Sequence, residues 1–265
     1  MARAIAVCNQ KGGVGKTTTA VNLAACLGVA EKKTLLIDMD PQANATTGLG
    51  IDKHELDYSM YDVITERNIE EKPAICDDII IQDETCEFLD IAPSSPDLAG
   101  AEIELVNVIA REKRLRSSIA AIRKEYDFIV IDAPPSLGLL TINVLTAADS
   151  VLIPIQCEYY ALEGLAELLN TIRLVQKNLN NALIIEGALL TMYDGRLNLS
   201  KQVADDVRSY FSGKVFETII TRNVKLSEAP SFGQPIIQYD IMSNGAENYL
   251  SLAKEIMQHA EKNGK

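Results

Sequence analysis

The chain has 265 residues, of which 47% are hydrophobic and 23% are charged. This balance is typical of a globular protein with a sizeable core, and it excludes a disordered chain and a chain built of membrane-spanning segments. The formal net charge is −12, so the field of the whole molecule repels DNA, and any nucleic-acid site has to be a local basic patch.

The first predicted elements are a buried strand over residues 4–8 and a helix over residues 19–27. Between them lies a glycine-rich turn, and the order strand, turn, helix is the context in which such a turn binds phosphate. The glycines allow several backbone N–H groups to face one point, and the N-terminus of the helix adds its own unpaired N–H groups. We predict a nucleoside triphosphate site formed by Lys11, Gly12, Gly13, Val14, Gly15, Lys16, Thr17 and Thr18.

Two lysines in this turn are expected to have different roles. Lys16 is expected to reach the β- and γ-phosphates, and the hydroxyl of Thr17 is expected to bind Mg²⁺. The ordinary phosphate-loop pattern requires a glycine where this chain has Gln10, and a second lysine, Lys11, follows it. This K-G-G-x-G-K-T form resembles the deviant Walker A loop of the ParA/MinD family of ATPases. The alternative is a glycine-rich turn without a ligand, in which the two lysines would repel each other.

A second apolar strand, residues 34–38, ends in Asp38, and Asp40 follows shortly after it. Carboxylates at the C-terminal ends of parallel strands lie where ligands bind, so one or both aspartates are expected to face the nucleotide. The run D-x-D-P-Q-x-N-A-T that begins at Asp38 resembles the switch I region of ParA proteins. The resemblance implies that Asp40 orients or activates the attacking water and contributes to the metal site. Two aspartates that merely begin a loop are the alternative.

The next part of the chain is divided between an acidic and a basic segment. Residues 51–104 carry sixteen acids against three bases; we assign no chemistry to them, because such a face is usually only solvated. They are predicted to contain a helix over residues 59–66 and short strands near 78–82 and 88–92. A helical pattern over residues 98–125, broken near 110–112, carries six bases after the break. We expect a solvated helix face there, with a phosphate-contacting surface as the alternative.

A third apolar strand with an acidic end is predicted over residues 126–132. Such a strand, downstream of a phosphate loop, is typical of a Walker B element, in which Asp132 holds Mg²⁺ through a water molecule. The run D-x-P-P that begins at Asp132 resembles switch II of the same family, and its two prolines stiffen the exit from the strand. A buried strand that ends in aspartate is common, so the prediction depends on its combination with the phosphate loop.

The rest of the chain continues the alternation of strands and helices. Strands are predicted over residues 150–154, 182–190 and 215–219, and helices up to about residue 179, over 199–211 and over 246–260. Because no repeat or low-complexity linker occurs, residues 1–265 are predicted to form one domain. The predicted fold class is α/β, a P-loop NTPase with a mostly parallel sheet of seven or eight strands and helices on both faces.

Three further runs extend the resemblance over nearly the whole chain. QCEYYALEGL from residue 156, LLTMYD from residue 189 and RNVKLSEAPSFG from residue 222 are similar to the chromosomal ParA/Soj branch. The resemblance implies an ATPase that forms a homodimer with two ATP molecules between the subunits, binds double-stranded DNA non-specifically, and is stimulated by a ParB/Spo0J-type protein. It also implies Met192, Arg222 and Asn223 as nucleotide contacts. The cargo, a chromosome or a plasmid, stays open.

The resemblance further implies a surface role for three basic residues. Arg196 and Lys225 are implied as DNA contacts on a surface that dimerisation makes continuous, and the segment they bound carries six bases against three acids. A scattered set of solvated bases is the alternative. Lys11 is implied to reach the triphosphate of the partner subunit, as a lysine version of the arginine finger. The chain departs from the family at Thr221, where proline is usual beside the adenine, and at Lys225, where arginine is common.

Two other functions stay open. A reductase of the nitrogenase iron-protein type shares the loop, but it needs cysteines that bridge two subunits, and only Cys157 is suitably placed among five cysteines without a C-x-x-C pair. These cysteines are expected to be buried thiols in a reducing compartment. A MinD-like positioning ATPase needs an amphipathic membrane-binding C-terminus, and residues 257–265 are too polar for it. In the absence of signal peptide or lipidation motifs, we expect a cytoplasmic protein that associates with the nucleoid when ATP-bound and not with membranes.

Overall fold

A computed structural model of the protein describes residues 1–66, 78–83, 86–159 and 164–263. Its strands are β1 (Arg3–Val7), β2 (Thr34–Asp38), β3 (Ile81–Gln82), β4 (Leu89–Ala92), β5 (Phe128–Asp132), β6 (Ser150–Gln156) and β7 (Ile184–Thr191). Its α-helices are α1 (Lys16–Val29), α2 (Asn44–Gly48), α3 (Met60–Thr65), α4 (Leu98–Glu104), α5 (Arg114–Ile119), α6 (Leu139–Ala147), α7 (Leu165–Asn178), α8 (Asn198–Phe211), α9 (Lys225–Glu228), α10 (Ile236–Tyr239) and α11 (Asn244–Asn263).

The strands form one sheet in the order β3–β4–β2–β5–β1–β6–β7. Neighbouring strands are parallel except β3 and β4, which are antiparallel. Parallel neighbours need crossover connections, and the helices that supply them cover both faces of the sheet. The predicted α/β fold class is confirmed, with seven strands in the described part of the chain.

Alternate residues of the central strands face two different apolar layers. In β1, Ala6 belongs to the layer that contains residues of α6 and α7, whereas Val7 belongs to the layer that contains residues of α1 and α11. Asp38 and Asp132 are register partners at the ends of β2 and β5. Each lies two positions after a residue of the second layer, Leu36 or Val130, and so faces the same side of the sheet as that residue. The two aspartates therefore leave the sheet on the side of α1, the helix that begins at the phosphate loop.

The strand predicted over residues 215–219 is wrong. Of that segment, Val215 alone bridges β7, at Ala188. The N–H groups of Glu217 and Thr218 donate to the carboxylate of Glu255 in α11, at 2.8 and 3.0 Å. These two donors are therefore not available to a sheet ladder, because a side chain from a distant helix competes for them.

The basic segment after residue 110 consists of short turns around α5 rather than one long helix, and Ala110 has a left-handed backbone with φ of 58°. Two of its arginines form ion pairs with other elements, Arg114 with Glu66 and Arg123 with Asp149. The expected solvated helix face is therefore only partly confirmed. The alternative, a phosphate-contacting surface, has two fewer bases available, because Arg114 and Arg123 are ion-paired. Within the described ranges, no helix is both long enough and apolar enough to cross a bilayer.

Candidate nucleotide site

The phosphate loop joins β1 to α1 and ends at Lys16, the first residue of the helix. Gly13 and Gly15 have left-handed backbones, with φ of +73° and +85°, which residues with a Cβ adopt only with strain. An added Cβ at Gly12, Gly13 or Gly15 would meet no heavy atom within 4 Å. The glycines therefore permit the curvature of the loop and leave open space above it, as a bound phosphate requires.

Two polar contacts hold the loop against neighbouring strands. Asn9 Nδ2 donates to the carbonyl of Pro154 in β6 at 2.7 Å, and Asn9 Oδ1 accepts the N–H of Lys11 at 3.0 Å. The hydroxyl of Thr191, the last residue of β7, donates to the carbonyl of Val14 at 2.9 Å. Neither Asn9 nor Thr191 was predicted from the sequence, although Thr191 is a polar residue that ends an apolar strand, as Asp38 and Asp132 are.

Lys16 is buried, with 6% of its surface exposed. Its Nζ donates to the carbonyl of Lys11 at 3.1 Å. Burial lowers the pKa of this ammonium group, while the charges of Asp132 and Asp40 act in the opposite direction. An ammonium group has three donors, so Lys16 retains donors for phosphate oxygens. Lys11 is half-buried, and no described acid forms an ion pair with its ammonium group.

Asp132 ends β5, as predicted, and is completely buried. Neither of its carboxylate oxygens has a hydrogen-bond partner among the residues that the structure describes. Burial raises the pKa of Asp132 well above its ordinary value, and the charge of Asp38 adds to this rise. The hydroxyl of Thr17 is near enough to oppose the rise, but it does not reach hydrogen-bond geometry. Burying a carboxylate without a partner is costly, and a cation beside it would offset that cost.

Asp38 and Asp40 differ in how the protein surrounds them. The carboxylate of Asp38 accepts the N–H of Thr46 at 2.9 Å, the hydroxyl of Thr46 at 2.8 Å and the N–H of Asp40 at 3.1 Å. Burial raises the pKa of Asp38 to about 6, although the bonds from Thr46 lower it. Asp40 Oδ1 accepts the N–H of Gln42 at 2.9 Å, while its Oδ2 accepts no bond from a described residue. Asp40 is therefore the aspartate that retains the capacity to bind water.

The charges at this edge fit a nucleotide with a divalent cation. Three carboxylates, those of Asp38, Asp40 and Asp132, are buried at this edge, as is the ammonium group of Lys16, on which the charges of Asp132 and Asp40 act. Among the described residues, no group of three His, Cys, Asp or Glu side chains could hold a metal ion by itself. Mg²⁺ usually keeps several waters and binds one or two carboxylates together with phosphate oxygens. The metal roles of Thr17, Asp40 and Asp132 stay predictions.

A cavity beside the loop brings the other predicted nucleotide contacts together. It is lined by Gly15, Thr18, Thr191, Met192, Ile220, Thr221, Arg222, Asn223, Leu226, Ser227 and Tyr249. Met192 has φ of 51°, a conformation that is uncommon for a residue with a side chain and that clusters at functional sites. Thr221, which stands where the family has proline, donates both its N–H and its hydroxyl to Asn248 Oδ1, at 3.0 and 2.9 Å. In this chain the residue therefore ties the cavity wall to α11.

Arg196 and Lys225 are not among the residues that line this cavity. The guanidinium of Arg196 forms two hydrogen bonds with Asp194, at 2.9 and 2.7 Å, and its side chain is 89% exposed. Lys225 Nζ lies 3.1 Å from the carboxylate of Glu228 and 5.4 Å from the ring centroid of Tyr239. Each predicted DNA contact therefore has an acidic neighbour, but exposed ion pairs contribute little free energy and exchange partners readily.

Comparison with known proteins places the chain in a family. A family model described as an AAA domain matches residues 2–185. The chain is 55% identical over 256 residues to the chromosome partitioning protein ParA of Myxococcus xanthus (strain DK1622), with 96% of this chain and 88% of that protein covered. It is 59% identical over 256 residues to the sporulation initiation inhibitor protein Soj of Bacillus subtilis (strain 168), with 97% of this chain and 98% of Soj covered. The chain belongs to the ParA/Soj family of partitioning ATPases.

The fold of this ParA/Soj-family ATPase is also found in a solved structure of cobyrinic acid a,c-diamide synthase from Mycobacterium smegmatis, with a bound ATP analogue and magnesium. That protein is 35% identical, the TM-score is 0.85, and 100% of this chain and 98% of that chain are covered. Its name describes a different reaction, and a shared fold does not transfer a reaction. The higher identity to Soj and ParA decides the family, and the predicted resemblance is confirmed.

The two alternative functions lose support in the structure. Cys157 is 2% exposed, so its thiol is not presented at the surface, where a second subunit would share a cluster with it. Helix α11 buries its apolar residues, among them Tyr249, Leu252 and Ile256, in the layer that also contains α1. This apolar face is therefore packed against the protein and is not free to enter a membrane.

Proposed function

We propose that this ParA/Soj-family ATPase forms an ATP-bound homodimer that binds double-stranded DNA without sequence preference and hydrolyses ATP faster when a ParB/Spo0J-type protein engages it. ATP hydrolysis follows from the family, and ATP with Mg²⁺ agrees with the ligands of the solved structure described above. The observation that carries the proposal is one phosphate loop with two lysines of different exposure: Lys16 is buried at the site, and Lys11 is half-buried and has no described acidic partner.

Within one subunit, the chain provides phosphate binding, metal binding and water orientation. Lys16 directs its remaining donors to the β- and γ-phosphates, and Thr17, Asp40 and Asp132 would hold Mg²⁺. When bound, Mg²⁺ neutralises charge on the phosphate oxygens. Asp40 orients the attacking water with Oδ2, the carboxylate oxygen that accepts no bond from a described residue. The cavity lined by Met192, Arg222 and Asn223 takes the base.

Between subunits, Lys11 supplies the second positive charge. Lys16 already serves the phosphates of its own loop, so Lys11 is free to contact the triphosphate of the partner subunit, where a cation stabilises the charge of the transition state. Gly12 and Gly13 are exposed, and the lack of side chains there allows two backbones to approach closely.

A net charge of −12 repels DNA, so we propose that binding requires the local basic patches of two subunits joined in the dimer. Each subunit offers only a weak patch, because Arg196 and Lys225 have acidic neighbours. Two patches joined by dimerisation add their phosphate contacts, and each contact contributes a salt-dependent increment to the affinity. The monomer is therefore expected to bind DNA poorly and the ATP-bound dimer to bind it well.

The test combines light scattering with DNA mobility shift, each with and without Mg·ATP. The parent protein and Asp40→Ala should become dimers with ATP, and these dimers should retard duplexes of unrelated sequence equally. Lys16→Ala, which cannot hold the phosphates, should remain monomeric and leave DNA unshifted. A parent protein that stays monomeric at saturating ATP, or that binds DNA equally well without ATP, would contradict the proposal.

A further inference from the structure

Switch I is held by a closed ring of hydrogen bonds that includes two residues, Thr46 and Ser94, for which no role was predicted from the sequence. The hydroxyl of Thr46 donates to Asp38 Oδ2 at 2.8 Å and accepts the N–H of Ser94 at 2.9 Å. The hydroxyl of Ser94 donates to the carbonyl of Asp40 at 2.8 Å. The N–H of Asp40 donates to Asp38 Oδ1 at 3.1 Å, which closes the ring.

The ring is buried and each hydroxyl in it has a defined direction. Asp38, Thr46 and Ser94 are 0% exposed, and Asp40 is 6% exposed. A hydroxyl has one donor and can accept as well, and Thr46 uses both capacities within the ring. Buried networks in which every member is satisfied fix one arrangement of their atoms, so the backbone of Asp40 is held on both its N–H and its carbonyl.

The segment that carries Ser94 is itself anchored to the sheet and to α3. Ser94 follows β4, which pairs with β2 in parallel register up to Ala92. The preceding residue, Pro93, accepts the N–H of Met60 at 2.8 Å. Ser94 and Asp40 thus lie two residues beyond the ends of the paired strands β4 and β2, and the segment of Ser94 is also bonded to the start of α3.

We propose that Ser94 and Thr46 are positioning residues that hold Asp40 in the geometry required for water attack. The inference rests on the proposed role of Asp40. Neither residue touches the nucleotide in this proposal. Ser94 holds the carbonyl of Asp40 together with the N–H of Ala43, each at 2.8 Å, and Thr46 links Ser94 to the carboxylate that holds the N–H of Asp40. Small displacements of a catalytic group are known to reduce rates strongly without preventing substrate binding.

The chain offers matched variants for a test. Ser94→Ala and Thr46→Val remove one hydroxyl each with little change of shape, and Thr46→Ser keeps the hydroxyl. Ser95→Ala is the control, because the hydroxyl of Ser95 lies 3.0 Å from that of Ser59 and forms no hydrogen bond with a described residue of switch I. Ser94 and Ser95 each lose one buried hydrogen bond from the same loop on mutation to alanine, so a purely structural effect should be similar in both. Asp40→Ala is the reference for the role of Asp40 itself.

The measurements are the single-turnover rate of ATP hydrolysis with Mg²⁺ and duplex DNA, the Kd for Mg·ATP by calorimetry, and the melting temperature. Ser94→Ala and Thr46→Val should lower the rate about ten- to a hundredfold, with the Kd within about twofold of the parent. Thr46→Ser and Ser95→Ala should hydrolyse ATP at nearly the parent rate. Such a separation of rate from binding supports a positioning role.

Three outcomes would overturn the inference, and each has a different meaning. If Ser94→Ala and Thr46→Val match the parent while Asp40→Ala is inactive, the positioning role fails and the role of Asp40 stands. Equal losses of the hydrolysis rate in Ser94→Ala and Ser95→Ala would mean that each mutation slows hydrolysis only by destabilising the loop. If Asp40→Ala hydrolyses ATP normally, the proposed role of Asp40 fails and the positioning role fails with it. Should Thr46→Val not fold, Ser94→Ala with its Ser95→Ala control still decides the question.

Discussion

The charged residues at the edge of the sheet beside the phosphate loop differ in how many hydrogen-bond partners the protein gives them. Asp38 accepts three hydrogen bonds from its own loop, whereas Asp132, in the part of the chain that the structure describes, accepts none. Lys16 is buried and has one carbonyl partner, and Lys11 is half-buried. The charges of Lys16 and Asp132 oppose each other, but Lys16 retains hydrogen-bond donors and Asp132 has no hydrogen-bond partner among the described residues. A ligand can use such free capacity in a buried site, so Lys16 and Asp132 are the residues on which nucleotide binding should depend most.

Lys16→Ala should weaken ATP binding by about a hundredfold or more, because it removes a charge-assisted bond at a buried site. Lys11→Ala is the matched control: it deletes a lysine from the same loop and should bind ATP nearly as the parent does, yet fail to hydrolyse it. Calorimetry measures both affinities. Tight ATP binding by Lys16→Ala would mean that the phosphate site has been assigned to the wrong lysine.

The ion pair between Arg196 and Asp194 should affect the acid titration of Asp194. The hydrogen bonds and charge of Arg196 lower the pKa of Asp194 from 3.8 to about 2. Because the pKa is depressed in the folded state, this pair favours folding above pH 3.8 and loses that effect as the pH falls towards 2. Arg196→Ala should therefore raise the pKa of Asp194 towards 3.8 in an NMR titration of its carboxyl carbon, and Arg208→Ala should leave it unchanged.

At the scale of secondary-structure elements, several contacts join elements that lie far apart in the sequence. Thr191 at the end of β7 holds the phosphate loop, and Asn248 in α11 holds Thr221 at the wall of the cavity. Tyr249 of α11 is buried, lies 3.2 Å from the hydroxyl of Thr19 in α1, and also lines the cavity. The C-terminal helix is thus part of the framework of the site.

The end of α6 depends on one buried amide. Asn180 Nδ2 lies within 3.2 Å of the carbonyls of Leu145, Thr146 and Ala148, the groups that a helix C-terminus leaves without partners. Asn180→Ala should lower the free energy of unfolding by about 1–3 kcal/mol, because buried acceptors lose their donor.

Urea denaturation measures this loss, and Asn178→Ala is its control. Asn178 is exposed and donates to the carbonyl of Leu174 within its own helix, so its mutation should change the stability by no more than about 0.5 kcal/mol. Similar stabilities for the two variants would show that the amide of Asn180 is not needed at the end of α6. The ATP affinity should remain at the parent value in both.

At the scale of the whole molecule, charge is unevenly distributed. Residues 51–104 hold sixteen acids against three bases, whereas residues 196–225 hold six bases against three acids. Of the basic helix predicted earlier, Arg114 and Arg123 are committed to ion pairs within the fold. Arg196, Arg208, Arg222 and Lys225 also form ion pairs, but the side chains of Arg196 and Lys225 are more exposed, at 89% and 46%, than those of Arg114 and Arg123, at 18% and 22%. We therefore propose the segment that contains Arg196 and Lys225 as the basic surface for DNA.

Arg196→Glu and Lys225→Glu should each weaken DNA binding by the ATP-bound dimer and reduce its dependence on salt, because fewer counterions are released. The measurement is a mobility shift of the Asp40→Ala dimer at several salt concentrations. Arg173→Glu makes the same change of charge on α7, where Arg173 contacts Asn170 at 3.2 Å, and it should bind DNA nearly as the parent does. Equal affinity and equal salt dependence in all three variants would leave the segment without a role in DNA binding.

The sequence by itself determined the fold class, the phosphate loop and the two strands that end in Asp38 and Asp132. These features are local: periodicity of apolar residues defines strands and helices, and a loop of fixed spacing defines a phosphate site. Parallel strands bring their C-terminal ends to one edge, and Asp38 and Asp132 are register partners there. Their roles toward the nucleotide stay predictions.

Only the tertiary structure decided what each of these residues contacts. The division of roles between Asp38 and Asp40 depends on Thr46 and Ser94, and Ser94 lies 54 positions beyond Asp40 in a segment that sequence patterns left without chemistry. The strand predicted over residues 215–219 was lost to Glu255, which lies 38 positions from Glu217. Hydrogen bonds between distant segments depend on the packing of the whole chain, and no local spacing records which donor will reach which acceptor.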